Sequence, residues 1–232
     1  IIEFPAIREL LANMKAKLQG SRAMLYETTR FVEIYKDYTH LSHDRKLTPE
    51  ERAEMKTYTR LADAFTPMLK LMSSEYCNSL AYDAIQIFGG SGYMKDYPIE
   101  RIYRDARITN IYEGTSQLQV VAAIRHVTTG TYLNQIREYE AQTYAADLGH
   151  VHQKLIAMRE QYERAVEKVT AAGSNEFIDF HARRMVEMAA HIIIGYLLLR
   201  QASEVEEYRV SAQLYVRSEE RRVGKECRSR WS

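Results

Sequence analysis

Apolar side chains recur every three or four positions in the first part of the chain, in a stripe that runs from Ile7 to Tyr35. That spacing places them on one face of a long amphipathic helix. An apolar stripe of this length has to be buried against other elements. Prolines and glycines, which break helices, number only four and ten in 232 residues. The sequence therefore predicts an all-α fold.

Short polar signals divide the chain into helices. Thr48 precedes Pro49 and stands three residues before Glu51, so an N-cap, a proline at the first helical position and a capping-box acid coincide. A second helix is therefore expected to begin at about Pro49. Pro67 lacks the amide hydrogen that an interior helical position needs, so it should interrupt this helix or begin a new one.

The next boundaries fall at two glycines and at a pair of hydroxyl residues. Gly89 and Gly90 are typical of a helix C-cap, and either Thr115 or Ser116 can cap the helix that follows. That helix is apolar nearly all round between residues 118 and 124. We therefore expect it to be buried.

The second half of the chain continues the helical pattern. Beyond Gly130 it predicts a polar amphipathic helical region over residues 132–172 and a last long helix from about residue 176 to 208. The chain thus divides into a bundle over residues 1–130 and a helical extension over residues 131–216.

Composition argues against several classes of protein. With 46% hydrophobic and 27% charged residues the chain is typical of a globular protein, and its formal net charge of +1 gives no reason to expect nucleic acid. The longest apolar run, residues 192–199, is far shorter than the roughly 20 residues that cross a bilayer. It predicts a buried helix and no membrane span. Cys77 and Cys227 are too few for a disulfide framework, which favours a reducing compartment.

The end of the chain breaks the preceding pattern. Residues 217–232, RSEERRVGKECRSRWS, form a dense mixed-charge run that resembles a translated sequencing adapter. We expect this tail to be non-native and disordered. Without its six basic and three acidic residues the formal net charge changes from +1 to −2.

Several candidate sites have simpler interpretations. His150 and His152 lack a third ligand nearby, so no metal site is predicted. The GGSG stretch at residues 89–92 follows a helix rather than a strand and fits neither the dinucleotide nor the P-loop pattern. His126, next to Arg125 near a helix C-terminus, is interpreted as a surface residue that complements the helix dipole.

Glu113 lies in a more informative setting. It stands next to Gly114, just before a helix start, where the helix dipole favours an ionised carboxylate. Glycine lets a ligand approach the backbone, and the amides of a first helical turn are ready hydrogen-bond donors. Spacing alone leaves two interpretations open, a helix-capping acid and a catalytic base, and it favours the first.

Three motifs in fixed order resemble a known family. QIFGG, RDAR and YEGTSQ occur between residues 81 and 125, and this order resembles the C-terminal helical domain of acyl-CoA dehydrogenases. The start, IIEFPAIRELLANMKAKL, resembles the first long helix of that domain. The extension from residue 131 is similar to that of a bacterial subset with an additional C-terminal helical segment. The resemblance implies an up-and-down four-helix bundle plus a helical extension.

The same resemblance implies a reaction, the FAD-dependent α,β-dehydrogenation of acyl-CoA thioesters to trans-2-enoyl-CoA. Glu113 would abstract the α proton, while the β hydrogen leaves as hydride to flavin N5. Gly114 and Arg125 match substrate-contacting positions. The flavin-contacting positions are matched by Thr115, Ser116 and Gln117.

Further expectations concern the assembly. The QIFGG segment, which consists of Gln86, Ile87, Phe88, Gly89 and Gly90, would touch the FAD of a neighbouring subunit, so a homodimer or homotetramer is implied. RDAR is assigned to structure. An electron-transfer flavoprotein is the implied electron acceptor, and the implied location is the bacterial cytoplasm.

The resemblance also implies that this chain is a fragment. The family's N-terminal helical domain and middle β domain do not precede Ile1, so we expect the chain alone neither to retain FAD nor to turn over substrate. Two alternatives remain, an acyl-CoA oxidase and a non-catalytic helical interaction module derived from this domain.

Overall fold

The computed structural model describes residues 1–228, and every regular element in that range is a helix. The α-helices are, in chain order, α1 (Pro5–Asp44), α2 (Pro49–Phe88), α3 (Gly90–Tyr93), α4 (Ile99–Ile108), α5 (Ser116–Thr128), α6 (Thr131–Glu140), α7 (Gly149–Ala171), α8 (Asn175–Glu204) and α9 (Arg209–Arg228). Short 3-10 turns at Ala146–Leu148 and Glu206–Tyr208 precede α7 and α9. The all-α prediction is confirmed.

The long helices pack as a bundle. α1 and α2, each of forty residues, form a helical hairpin joined by residues 45–48. α5 packs against α2, and α8 packs against both α1 and α5, so these four helices close a ring. α7 and α9 pack against α8 as well. The bundle therefore takes its fourth long helix from the extension, and residues on both sides of position 130 share one hydrophobic core.

α8 lies at the centre of this arrangement. All eight residues from 192 to 199 are buried, as predicted. By length and composition α8 is the one helix of the described chain that could cross a membrane, yet 83% of its most apolar window is buried inside the protein. It is therefore a core helix, whose apolar surface is covered by α1, α5, α7 and α9.

Capping bonds start two helices at or next to the boundaries predicted from the sequence. Thr48 Oγ1 accepts a hydrogen bond from the Glu51 amide (3.2 Å), and the Glu51 carboxylate accepts one from the Thr48 amide (2.8 Å). At the start of α8, Ser174 Oγ accepts from the amide of Phe177 at 3.3 Å. These bonds satisfy amides that the helix itself leaves unpaired.

α2 does not break at Pro67, which corrects the expectation of an interruption there. Pro67 is buried, and its neighbours Phe65 and Met68 are fully buried in the core. Packing along the rest of the helix outweighs the roughly 3 kcal/mol that an interior proline costs.

Other predictions about the later helices also need correction. α5 is not buried all round, because Leu118 and Val121, each 58% exposed, lie on its surface side. The helical region expected over residues 132–172 is present, but it consists of two helices, α6 and α7, with residues 141–148 between them. α8 ends at Glu204, before the predicted boundary.

The structure continues α9 through residues 217–228, in contrast with the disorder expected for the tail. Glu219 and Val223 are each 1% exposed, so one side of the helix stays buried to this point. Residues 229–232 lie outside the described residues. The resemblance of the tail to an adapter stays a prediction.

A buried carboxylate joins three helices of the core. Glu27 of α1 is 3% exposed and accepts a hydrogen bond from Arg30 at 2.9 Å. It also accepts from Arg200 of α8 at 3.0 Å and from Tyr139 of α6 at 2.8 Å. Burial raises the pKa of Glu27, but these partners lower it by more, so the pKa lies below the ordinary value. The fold therefore stabilises the ionised carboxylate.

Protonation of Glu27 should weaken the fold at acid pH. Because the folded-state pKa is lowered, the stabilisation is complete above the ordinary carboxyl pKa and is lost as the pH falls through the folded-state value. We expect Glu27→Gln to lower the free energy of unfolding at neutral pH by about 2 kcal/mol, because an amide cannot pair with two arginines. Urea unfolding measures this change, and the exposed Glu167→Gln is the control. Equal losses in both variants would contradict the prediction.

Candidate functional site

Glu113 is the only non-glycine residue with a positive φ, 52°, within residues 1–228. It lies in the turn between α4 and α5, three residues before Ser116, and its side chain is exposed. Side chains with a Cβ avoid this left-handed region at a cost of roughly 1 to 2 kcal/mol. Surrounding contacts must therefore hold the turn.

Two side chains hold the carbonyl groups of this turn. Gln119 Nε2 donates to the carbonyl oxygens of Glu113 (3.2 Å) and Gly114 (3.3 Å). Lys70 Nζ, from α2, donates to the carbonyl oxygens of Gly114 (3.0 Å) and Thr109 (2.7 Å). The backbone on both sides of the Glu113 side chain is thereby tied to α2 and α5.

Gly114 is required by geometry. Its φ is 91°, and a Cβ at this position would lie 2.7 Å from Gln119 Nε2. Any larger residue would be strained in this backbone conformation and would displace the side chain that holds the turn.

The first turn of α5 is fixed by its own hydrogen bonds. Thr115 Oγ1 caps the helix by accepting from the amide of Leu118 at 3.3 Å. The amide of Ser116 donates to the carbonyl of Asn110 at 3.1 Å, and its hydroxyl donates to Glu75 Oε1 of α2 at 2.6 Å. Ser116 is buried, so both of its donors are used inside the protein.

This geometry places a carboxylate beside unused donors. The backbone amides of Glu113 and Gly114 donate to no acceptor in the described part of the chain. The N-terminus of α5 lies next to the same turn, and its dipole favours negative charge nearby. Amide donors in such a position can polarise the carbonyl oxygen of a ligand.

The structure brings together some of the predicted site residues and separates others. Glu113, Gly114 and the first residues of α5 form one cluster, with the side chains of Thr115 and Gln117 exposed. Arg125 lies near the other end of α5, where its Nε donates to His126 Nε2 at 3.1 Å. The segment from Gln86 to Gly90 spans the end of α2 and the start of α3, and Gln86 lies sixteen residues beyond Lys70, or about 24 Å along α2. It does not join the Glu113 cluster within one chain.

The environment of His126 corrects its interpretation as a surface residue. Its side chain is buried, and its ring lies edge-on to Tyr132 with 5.8 Å between the ring centroids. Burial and the nearby charge of Arg125 lower the pKa of His126. The neutral imidazole therefore accepts a hydrogen bond from Arg125 and helps to place that side chain.

Comparison with known proteins decides the family. The family model described as "Acyl-CoA dehydrogenase, C-terminal domain" matches residues 1–128, more than half of the chain. The chain belongs to the acyl-CoA dehydrogenase family. A second model, "Acyl-CoA dehydrogenase C terminal", matches residues 128–228. The resemblance inferred from the three motifs is therefore confirmed.

Curated acyl-CoA dehydrogenase relatives match over part of the chain. Caffeyl-CoA reductase-Etf complex subunit CarC of Acetobacterium woodii is 34% identical over 119 residues, which are 51% of this chain and 25% of that protein. Mitochondrial short-chain specific acyl-CoA dehydrogenase of Bos taurus is 52% identical over 60 residues, which are 26% of this chain and 15% of that protein. The chain thus spans a quarter or less of the length of these two relatives.

A solved structure supports the fold. The acyl-CoA dehydrogenase from Bacillus anthracis, crystallised in complex with FAD, superposes with a TM-score of 0.67 at 22% sequence identity. The match covers 97% of this chain and 40% of that chain. The all-α arrangement is therefore that of the acyl-CoA dehydrogenase C-terminal region.

Sequence reasoning missed the residues that hold the Glu113 turn. Gln119 ends the YEGTSQLQ stretch, five residues after Gly114. Its short distance along the chain was the one sequence signal for a hydrogen bond between its side chain and the turn before α5. Lys70 and Glu75 lie about forty residues away along the chain. Only the packing of α2 against α4 and α5 brings them to the turn.

Removing the ammonium group of Lys70 should loosen this turn. We expect Lys70→Met to lower the free energy of unfolding by about 1 to 3 kcal/mol, because the carbonyl groups of Thr109 and Gly114 each lose a charged donor. Amide hydrogen exchange in residues 109–119 should also become faster. The exposed Lys56→Met is the control, and identical exchange in the two variants would refute the role of Lys70.

Proposed function

We propose that this chain is the C-terminal part of a flavoenzyme that converts acyl-CoA to trans-2-enoyl-CoA, with Glu113 as the base. The observation that carries the proposal is the Glu113 turn, in which an exposed carboxylate is held in a strained backbone beside two unused amides. Family membership supports the substrate class and the cofactor.

The chemistry required of Glu113 is proton transfer. Its carboxylate takes the α proton of the thioester, and the β hydrogen leaves with its electron pair, so a carbon–carbon double bond forms. FAD, when bound, supplies the hydride acceptor at flavin N5. The amide of Glu113 donates to the thioester carbonyl oxygen, which becomes electron-rich as the α proton leaves. A closed, water-poor site strengthens that hydrogen bond.

Two exposed parts of the chain, the start of α5 and the end of α2, have groups that could contact a flavin. At the start of α5, Thr115 and Gln117 present side chains to solvent beside a helix N-terminus, which favours electron-rich ligand groups. At the end of α2, Gln86 is exposed, and a Cβ built on Gly89 or Gly90 would meet nothing within 4 Å. Because the two places are well separated on one chain, we infer that each FAD is shared between subunits of a homodimer or homotetramer.

We propose an electron-transfer flavoprotein as the redox partner and the bacterial cytoplasm as the location. The A. woodii relative is named as a subunit of a complex that contains such a flavoprotein, designated Etf. The same relative is named a reductase, so the reverse reaction, reduction of an enoyl-CoA, is the second candidate function. An assay with acyl-CoA and with enoyl-CoA decides the direction, and oxygen as acceptor tests for an oxidase.

The full-length enzyme should lose most of its activity in the Glu113→Gln variant. We expect the rate of flavin reduction by acyl-CoA to fall by about 10² to 10⁴, because the amide cannot accept the α proton. Bleaching of the flavin absorbance in a stopped-flow experiment measures this rate. The control is Glu167→Gln on α7. A Glu113→Gln enzyme that reduces flavin at the wild-type rate would show that Glu113 is not the base, and a wild-type protein without FAD would favour the interaction module.

The 232-residue chain by itself should neither retain FAD nor oxidise acyl-CoA, because it spans only a quarter or less of the two relatives compared above. Purification followed by a flavin absorbance spectrum and a turnover assay tests this expectation. A yellow and active preparation of the chain alone would overturn it.

A further inference from the structure

A three-residue contact links the C-terminal segment of the chain to the Glu113 site. Glu75 Oε1 of α2 accepts the hydrogen bond from the Ser116 hydroxyl at 2.6 Å. The same oxygen lies 3.3 Å from a terminal guanidinium nitrogen of Arg183, on α8. Three helices therefore meet at one carboxylate oxygen.

The guanidinium group of Arg183 is itself held in place. Its Nε donates to Glu187 Oε1, one turn further along α8, at 2.8 Å. Arg183 thus lies between two carboxylates, and its side chain is 45% exposed while that of Glu75 is 32% exposed. Such a partly exposed ion pair contributes only modestly to stability, but the geometry of the guanidinium group fixes the orientation of the Glu75 carboxylate.

Ser116 links the side chain of Glu75 to the Glu113 turn by hydrogen bonds. It is the first residue of α5, and its amide donates to the Asn110 carbonyl at the start of the turn that contains Glu113. Ser116 thus connects the Glu75 carboxylate both to the start of α5 and to the turn. Displacements of about 1 Å in a catalytic arrangement can lower rates by about 10².

We propose that Glu75 and Arg183 are positioning residues, through which the segment matched by the second family model sets the geometry of the Glu113 turn. Their effect on flavin reduction rests on the proposed function. The coupling between α8 and the turn does not. Glu75 acts by orienting the Ser116 hydroxyl, and Arg183 acts by orienting Glu75.

The first experiment measures the coupling in the 232-residue chain. Hydrogen exchange of a peptide that covers residues 110–119 is compared between wild type, Arg183→Met and Glu75→Gln. We expect exchange to be about fivefold faster in each variant, which is the effect of one hydrogen bond's net free energy. Because both changes weaken the same Arg183–Glu75 ion pair, the double variant should show little additional effect. Arg183→Lys should restore slow exchange.

The matched control is Arg137→Met, which removes an arginine that pairs with Glu163 between α6 and α7. If Arg183→Met leaves exchange in residues 110–119 at the level of this control, the proposal is overturned. Arg183 is partly exposed, so its loss should leave the chain folded, and far-ultraviolet circular dichroism verifies that.

The second experiment uses the full-length flavoprotein. We expect Arg183→Met to slow flavin reduction at saturating acyl-CoA about tenfold and to change KM by less than twofold, because the contacts of the turn with the thioester strengthen as the α proton leaves, so its displacement weakens the transition state more than substrate binding. Wild-type rates in this variant, beside faster exchange in the first experiment, would overturn the catalytic part of the proposal. A wild-type protein that fails to reduce flavin would instead refute the proposed function.

Discussion

Burial of α8 is the constraint on which the arrangement of the other helices depends. Its residues 192–199 are buried on every side, and each isoleucine or leucine among them contributes about 1.5 to 3 kcal/mol of hydrophobic free energy. A helical segment without a polar face needs neighbours all round it, and α8 has α1, α5, α7 and α9. The position of α5, and with it the Glu113 turn, therefore depends on a helix from the second half of the chain.

The parts of the fold that the sequence predicts are those determined by neighbouring residues. Thr48 and Glu51 start α2, and Thr115 starts α5, because capping bonds span only three residues. The continuation of α2 through Pro67 was not predictable in this way, since it results from burial against other helices. The exposure of Leu118 likewise follows from which sides of α5 the other helices cover.

The candidate site shows the same division between local and tertiary signals. The YEGTSQ motif identifies Glu113 as a candidate base by resemblance, and the turn and the helix start it predicts are present. What the motif does not contain is the means of holding a strained glutamate. Lys70 and Glu75 provide it from α2, and Arg183 approaches from α8. These contacts arise from packing between segments that are distant along the chain, so no local sequence pattern predicts them.

The arrangement of donors at the turn bears on the choice between an enzyme and an interaction module. An interaction surface gains nothing from a glutamate held at a φ of 52°, a conformation that costs roughly 1 to 2 kcal/mol. Here Lys70 and Gln119 donate hydrogen bonds to carbonyl oxygens of the turn, while the amides of Glu113 and Gly114 donate to no acceptor among residues 1–228. Acceptors are satisfied internally while donors are left for a ligand. That asymmetry is the one that the proposed stabilisation of negative charge on a thioester oxygen requires.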